Sequence, residues 1–474
     1  MKNFFLTVSL LTLIFACQNK RSIEWVATTP DGQWESQDIG KIEVFSKEKP
    51  DVVVEIEKPK QTIDGFGACF NELGWTSLSL LSETDRESIV KELFEKGTGA
   101  NFTICRMPVG ANDFSRNWYS YNETEDDFEM KNFSIDNDKE TLIPFIKSAL
   151  KYNSDLKIWA SPWCPPSWMK YNKHYACNVS GDRTDEKYRN DLRPDRRGGE
   201  GTNMFIQEDT YFQSYALYFA KFIEAYRSQN IPIFMIMPQN EFNSCQVFPS
   251  CTWTAEGLNK FIGGFLGPQM KNLGVEVMLG TIERANTLLV DTILKDDKSS
   301  RYISGAAFQW AGKGAIKMIH ENYPKLKIYQ SEQECGNGKN DWKGCTYSWE
   351  LMKHYINNGT SVYDYWNISL EEGGISRWGW SQNSLVTVNR EAKTYKYTYE
   401  YYLLKHISHF VYPGAQLLTA SGDFSDLLAF QNADGQYVIV VYNSGNAETK
   451  KTIAIGDVTL SVTLQPLSFN TIIL

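Results

Sequence analysis

At 474 residues with 42% hydrophobic side chains, the chain is too long for one small domain and can bury a substantial core. Its net charge of -9 at pH 7 argues against nucleic acid as a partner, because phosphate binding needs basic patches. Aromatic residues make up 14%, including 14 Trp, which fits either a large core or a cleft whose flat rings stack on sugar faces.

The first residues read as a targeting segment. Met1–Lys2–Asn3 is a short basic start, and Phe4–Ala16 is an apolar run too short to span a bilayer. Cys17 follows directly, then polar Gln18–Asn19–Lys20. This pattern looks like a bacterial lipoprotein signal over 1–16, with Cys17 acylated and 17–22 a linker; a plain signal peptide cut near the same place is the alternative. Either way export is expected, with a lipid anchor at Cys17 as the sole membrane attachment, on a bacterial outer membrane. Export permits disulfides. Cys69, Cys105 and Cys164 sit in or beside apolar runs and read as buried thiols. Cys245–Cys251 and Cys335–Cys345 lie in loop-like segments and are candidate local disulfides. The Cys spacings match no zinc motif and the five His are scattered, so neither metal nor cofactor is expected.

Residues 23–58 read as strands: Ile23–Val26, Lys41–Phe45 and Asp51–Glu57, separated by turns such as Pro30–Asp31–Gly32. From Gln61 the pattern changes. Eight short apolar runs follow: Thr62–Cys69, Asn101–Pro108, Lys157–Trp163, Ile233–Glu241, Val275–Glu283, Ile303–Trp310, Lys327–Glu334 and Val362–Leu370. Between them lie helix-like stretches, among them Glu83–Lys96, Lys139–Tyr152, Asp209–Ser228, Ala255–Leu273 and Trp349–Asn357. Strand–helix alternation eight times over predicts an α/β fold, a (β/α)8 TIM barrel spanning 59–411. After about Pro413 the pattern becomes antiparallel strands with turns. Three early strands cannot stand alone. They are expected to complete one β-sandwich domain with 412–474, the barrel being inserted between its two parts.

Catalytic groups of a barrel sit at the carboxyl ends of its strands. Those ends carry Glu72, Arg106, Trp163, Asn240, Glu241, Glu283, Trp310, Glu332, Glu334, Trp366 and Glu371. Carboxylates, amides and rings dominate; there is no Gly-rich phosphate loop and no Ser nucleophile elbow. That set fits glycoside hydrolysis by a pair of carboxylates. Glu241 closes the fourth strand and the second carboxylate the seventh, on opposite walls. Alternation puts Glu332 and Glu334 on one face, so spacing leaves both open. Glu283 and Glu371 read as solvated loop residues.

The motifs Gly65–Phe66–Gly67–Ala68, Arg106–Met107–Pro108, Ala160–Ser161–Pro162–Trp163 with Pro166–Ser167–Trp168, Gln239–Asn240–Glu241, Gln330–Ser331–Glu332 and Tyr365–Trp366–Asn367 occur in this order. So do Asp126–Asp127–Phe128 and Asn132–Phe133–Ser134. Together they resemble glycoside hydrolase family 30, the glucosylceramidase-like family. The resemblance implies a retaining enzyme with Glu241 as acid/base and Glu332 as nucleophile. It implies that Asn240 contacts the sugar 2-hydroxyl and that Arg106 holds the nucleophile ionised. Glu72 would contact sugar hydroxyls, and Trp163, Trp310 and Trp366 would shape the pocket. Gln309–Trp310–Ala311 departs from the lysosomal pattern, which has His and Tyr flanking that Trp. Phe242–Thr252, Trp342 and Arg377–Trp378–Gly379–Trp380 add aromatics and cysteines at the expected rim. The expectation is a monomeric endo-β-1,6-glucanase acting on β-glucan. The alternatives are a glucosylceramidase, β-glucosidase or xylan-active relative, or a non-enzymatic carbohydrate-binding lipoprotein. The intact Asn240–Glu241 and Glu332 weigh against the last.

Overall fold

A computed structural model describes residues 23–182 and 184–474. The expected signal segment and the Cys17 anchor lie outside the described residues. Among the described residues no helix is long and apolar enough to cross a membrane.

All eight expected barrel strands form: β1 Gly65–Cys69, β2 Ile104–Pro108, β3 Lys157–Ser161, β4 Ile233–Ile236, β5 Glu276–Ile282, β6 Ile303–Gln309, β7 Lys327–Glu332 and β8 Thr360–Asn367. They close in parallel, each beside its sequence neighbour, with β8 returning to β1. The interior is filled by alternate residues pointing inward, among them Ile104, Trp159, Met235, Met278, Ala307, Tyr329 and Val362. Strand β4 is shorter than expected. It ends at Ile236 because Pro238 has no N–H to give a ladder. The chain beyond stays pinned to both neighbours: Met237 N donates to Ala160 O (2.9 Å), Asn240 N to Pro162 O (2.7 Å), and Thr281 N to Gln239 O (2.7 Å). Glu241 is therefore held by hydrogen bonds rather than by strand pairing.

The helices follow the apolar periodicity, with Asp209–Ser228 matching its expected bounds. Ala255–Leu273 forms a continuous helical stretch interrupted by a π segment at Ile262–Leu266. Three helices gave no clear pattern in the sequence: Glu72–Leu78, Asp297–Ser300 and Tyr399–Ser408. A small sheet of Ser369–Glu371, Val386–Asn389 and Thr394–Tyr397 follows β8.

Strands from both chain ends build the second domain, as one order of ten. Glu24–Thr28 pairs with Ser468–Ile473, Val52–Glu55 lies between Gln416–Gly422 and Thr449–Ile455, and Ile42–Val44 pairs with Val458–Leu464. Tyr437–Asn443 is buried on both faces. Ile439 and Val441 enter the sandwich core, while Val438 and Val440 join the apolar layer that continues into the barrel. Helix Tyr399–Ser408 seats the two domains. Its His406 is buried, with Nδ1 against Thr471 Oγ1 (2.8 Å) and Nε2 against Thr28 Oγ1 (2.9 Å).

Because Val52–Glu55 is an interior strand, residues 412–474 expressed alone are expected not to fold. Circular dichroism of that fragment should show no cooperative transition; a cooperative β-rich fold would contradict the shared sandwich.

Candidate active site

Arg106, the middle residue of β2, is wholly buried and organises the barrel mouth. Its Nη1 donates to Glu332 Oε2 (2.7 Å) and Ser331 O (3.1 Å), and its Nη2 to Asn240 Oδ1 (2.7 Å) and Ser161 Oγ (2.9 Å). The guanidinium lies 4.2 Å from the Trp163 ring centroid, 5.1 Å from Trp159 and 5.4 Å from Trp366. A cation enclosed by aromatic faces is held electrostatically where water cannot reach it.

Glu332 closes β7 and is 4% exposed. Besides Arg106 it accepts from Trp310 Nε1 at Oε1 (2.8 Å) and from Gln309 Nε2 at Oε2 (3.2 Å). Glu241 is 6% exposed. Its Oε1 accepts from the same Gln309 Nε2 (3.1 Å) and its Oε2 from Gln246 Nε2 (3.4 Å). Burial, then the Glu332 charge, push Glu241 up to about 7. Burial also raises Glu332, but the Arg106 cation and the bonds from Trp310 and Gln309 act against it. Arg106 bonds Glu332 directly and not Glu241, so the pair's proton resides on Glu241 and Glu332 keeps the charge. Glu241 (φ 47°) and Trp310 (φ 46°) both adopt left-handed backbone. Such residues cost on the order of 1–3 kcal/mol each and persist where the surroundings over-determine them.

These groups border a cavity of about 220 Å³ lined by Asp113, Trp163, Glu241, Gln246, Phe248, Glu283, Trp310, Glu332, Trp380 and Gln382. Of the expected site residues, Glu241, Glu332, Trp163 and Trp310 line it. Asn240 and Arg106 sit directly behind, bonded into the carboxylates' network. Trp366 is one layer further back, stacked on Trp163 at 5.2 Å. Glu334 lies past the end of β7 and bonds Lys313 Nζ (2.5 Å) and Tyr347 OH (2.7 Å), so Glu332 alone of the two faces the cavity.

Glu72 requires correction. It does not line the cavity; it is the first residue of helix Glu72–Leu78, capped by Asn71 Oδ1, which accepts from Gly74 N (2.7 Å). Its carboxylate is filled by Arg116 N (2.9 Å), Arg116 Nε (3.0 Å), Asn137 Nδ2 (3.0 Å) and Thr141 Oγ1 (3.2 Å). The helix start and Arg116 explain its charge. The carboxylate that does enter the cavity is Asp113, unremarked in the sequence. It is buried, its Oδ1 has no partner among the described residues, and burial with the Glu332 and Glu241 charges raises it well above the usual range. The signal was Asn112–Asp113 close behind the end of β2.

Other expectations also shift. Glu283 is nearly buried, lines the cavity and ion-pairs with Arg284 rather than standing in solvent. Glu371 does pair with Arg390 at the surface (2.5 Å). Of the rim aromatics, Trp380 lines the cavity beside Phe248, ring centroids 5.1 Å apart. Trp378 is buried against Trp118 (4.8 Å), and Trp342 packs on Tyr399 and Phe469 between the domains. The eight cysteines of the described residues are all free thiols. Neither candidate disulfide forms: the Cys245 side chain meets Cys177 rather than Cys251, and Cys335 Sγ bonds Gln333 O (3.0 Å). Among the described residues no group of three or more His, Cys, Asp or Glu is placed to hold a metal ion.

Comparison with known proteins places this geometry in a family. The sequence model of the glycosyl hydrolase family 30 TIM-barrel domain matches residues 63–191 and 194–411, and that of the family 30 beta sandwich domain matches 418–472. The chain belongs to glycosyl hydrolase family 30 and is a glycosidase. Among its relatives is the Putative glucosylceramidase 1 of Caenorhabditis elegans, 28% identical over 434 residues, covering 86% of this chain and 78% of that protein. The Endo-1,6-beta-D-glucanase of Neurospora crassa is 24% identical over 419 residues, 83% and 81% of the two chains. The solved structure of the endo-beta1,6-glucanase BT3312 superposes with a TM-score of 0.77 at 25% identity, covering 95% of this chain and 99% of that one.

Removing Arg106 leaves Glu332 buried without its counter-charge. Arg106→Ala is expected to cost about 3–5 kcal/mol of stability in chemical denaturation. In residual activity the acid limb of the pH profile should move upward, since protonated Glu332 becomes favoured. An unchanged acid limb would show that Arg106 does not hold that charge.

Proposed function

We propose that this glycosidase cleaves β-glucosidic bonds with retention of configuration, as an endo-β-1,6-glucanase. The observation that carries the retaining reading is the shared donor: Gln309 Nε2 bonds one oxygen of each carboxylate, at 3.1 Å and 3.2 Å. Two such bonds hold those oxygens closer than the roughly 6.5–9.5 Å at which inverting enzymes leave room for a water.

The chemistry runs in two displacements. A Glu332 oxygen attacks the anomeric carbon, the glycosidic C–O bond breaks, and the Glu241 proton passes to the leaving oxygen. Ionised Glu241 then takes a proton from water, whose oxygen attacks the same carbon and breaks the ester to Glu332. Each resting state is restored. Asn240 Oδ1 is filled by Arg106, Thr281 Oγ1 (3.0 Å) and Gln309 (3.2 Å), which leaves Nδ2 to donate to the sugar 2-hydroxyl. The unpartnered Asp113 carboxyl is placed to hydrogen-bond another sugar hydroxyl.

Cavity size and walls support a sugar substrate. A void of roughly 150 Å³ holds a benzene ring, so the cavity here takes one pyranose. Amides (Gln246, Gln382) and ring faces (Phe248, Trp380) line it, a pairing suited to polar sugar edges and apolar sugar faces. The β-1,6 linkage is supported by likeness to BT3312 and to the Neurospora crassa enzyme. A glucosylceramidase or simple β-glucosidase is the second reading, favoured by the higher identity to the Caenorhabditis elegans protein.

Product analysis separates these. Incubated with β-1,6-glucan, β-1,3-glucan, xylan, glucosylceramide and an aryl β-glucoside, the enzyme is expected to release a ladder of oligosaccharides from β-1,6-glucan. Glucose from glucosylceramide or the aryl glucoside alone would replace that reading with the second. The acid/base role has its own signature. Glu241 must be protonated, so activity should fall as pH rises through about 7. On an aryl glucoside with a good leaving group, Glu241→Ala should lose that limb, and azide should restore rate. A retained limb with no azide effect would remove Glu241 from the role.

A further inference from the structure

Gln309 ends β6, is completely buried, and has a fixed amide orientation. Its Oε1 accepts from Ser331 Oγ (3.0 Å) and faces Arg106 Nη1 (3.5 Å). Turning the amide over would put its oxygen against two carboxylates and its nitrogen against a guanidinium. The cation behind it therefore aims Nε2 at Glu241 Oε1 (3.1 Å), Glu332 Oε2 (3.2 Å) and Asn240 Oδ1 (3.2 Å). One nitrogen with two hydrogens touches both carboxylates of the reaction and the amide between them.

We infer that Gln309 is a positioning residue that serves both displacement steps: a neutral, non-titrating donor that fixes the spacing of Glu241 and Glu332 and stabilises whichever of them carries the negative charge. The inference rests on the retaining reading. In the resting enzyme Glu332 is the anion. Once its oxygen has bonded to the anomeric carbon, Glu332 is a neutral ester and Glu241, having given its proton away, is the anion. The charge has moved across the site, and the donor between the two carboxylates is hydrogen-bonded to its old and new positions alike. No side chain need move to follow it. An imidazole at this place would titrate near neutral pH; a carboxamide keeps the same donors throughout. The charged groups around it come from other elements: Arg106 from β2, Asp113 behind β2, Glu332 from β7, and Glu241 behind β4, with Arg284 behind β5 acting on Glu241. None of these can take its place, because each bears or exchanges a charge.

The test is Gln309→Met, similar in length and uncharged but without donors, assayed on an aryl β-glucoside. Hydrogen bonds to a carboxylate favour its charged form, so losing them should move both limbs of the kcat/KM–pH profile upward together. kcat/KM at the optimum should fall roughly tenfold to hundredfold. A 2-deoxy-2-fluoro glucoside should show glycosylation and deglycosylation slowed by similar factors. If activity drops with both limbs in place, or only one step slows, Gln309 is not the shared donor. Should the Met variant not fold, Gln309→His supplies a donor able to reach one carboxylate. It should slow the two steps unequally; equal effects would overturn the inference. The anomer first formed by the wild type, read by proton NMR, tests the retaining reading separately: an inverted product would remove that reading whatever Gln309→Met does.

Discussion

The contact on which the site depends is the one between Arg106 and Glu332. A buried ion pair is poor evidence for stability, since desolvating two charges costs several kcal/mol per ion that attraction must recover. Here the arrangement favours function over economy. The guanidinium spans the barrel mouth, bonding Ser161 on β3, Asn240 beyond β4 and Glu332 on β7, while three tryptophans close off solvent. Three buried carboxyl groups, Asp113, Glu241 and Glu332, line the cavity, and Arg106 bonds Glu332 alone of the three. Their mutual repulsion separates their protonation states, and the one bonded to Arg106 keeps its charge. The position of one arginine thus sets the two carboxyl groups apart, which supports the proposed division into acid and nucleophile.

Around this pair the barrel ends are over-determined. Glu241 N donates to Thr281 Oγ1 (2.9 Å), and the same hydroxyl donates to Asn240 Oδ1 (3.0 Å). Those bonds hold Glu241 in left-handed backbone past a strand that has already ended. Trp310 has the same conformation at the mouth of β6 and aims Nε1 at Glu332. On the near wall, buried Lys170 donates Nζ to Ser250 O (2.6 Å), Tyr175 O (3.0 Å) and Ala176 O (3.3 Å). It ties the loop after β3 to the loop after β4, which carries Gln246 and Phe248 into the cavity. Backbone carbonyls satisfy this ammonium, so the wall is fixed without regular structure.

Strand period and apolar run length made the barrel legible, because a strand buried on both faces has a compositional signature. The run that carries Glu241 and the strand that ends in Glu332 were the sequence's pointers to these two cavity-lining carboxyl groups. At β4 the apolar run extends past the strand because hydrophobicity does not reveal where pairing stops; Pro238 stops it. Family resemblance gives Glu72 a sugar-binding role, but its place at the start of helix Glu72–Leu78 and its bonds to Arg116 account for it instead. Asp113 and the bridging amide of Gln309 were missed for a deeper reason. Their importance comes from what they meet in space: Asp113 shares the cavity with Glu241, 128 positions along the chain, and Gln309 bonds Glu332 on the adjacent strand, 23 positions along, and single-sequence periodicity carries no such pairing. Trp342 and Trp378 failed as rim residues because aromatic content does not distinguish a platform from a packed ring.

The cavity itself bears on how a polymer would be held. Its volume suits one sugar, yet its walls come from separate elements: Phe248 from the loop after β4, Trp380 and Gln382 from the excursion after β8. Trp380 cannot withdraw freely, since its ring lies against Phe248 and its backbone N–H reaches Ser376 Oγ (3.4 Å). Ser376 N in turn donates to Trp380 O (2.8 Å), closing a short turn on itself. A wall so built grips the reacting unit from two sides and leaves the mouth as the direction for further sugars. A linkage through an exocyclic carbon adds a rotatable bond between neighbouring rings. Such a chain can present one ring to a narrow pocket while the next turns away, which a stiffer linkage through ring carbons does less readily. On the proposed endo-β-1,6-glucanase reading, linkage flexibility is the physical property that lets a polymer present one ring to so small a cavity.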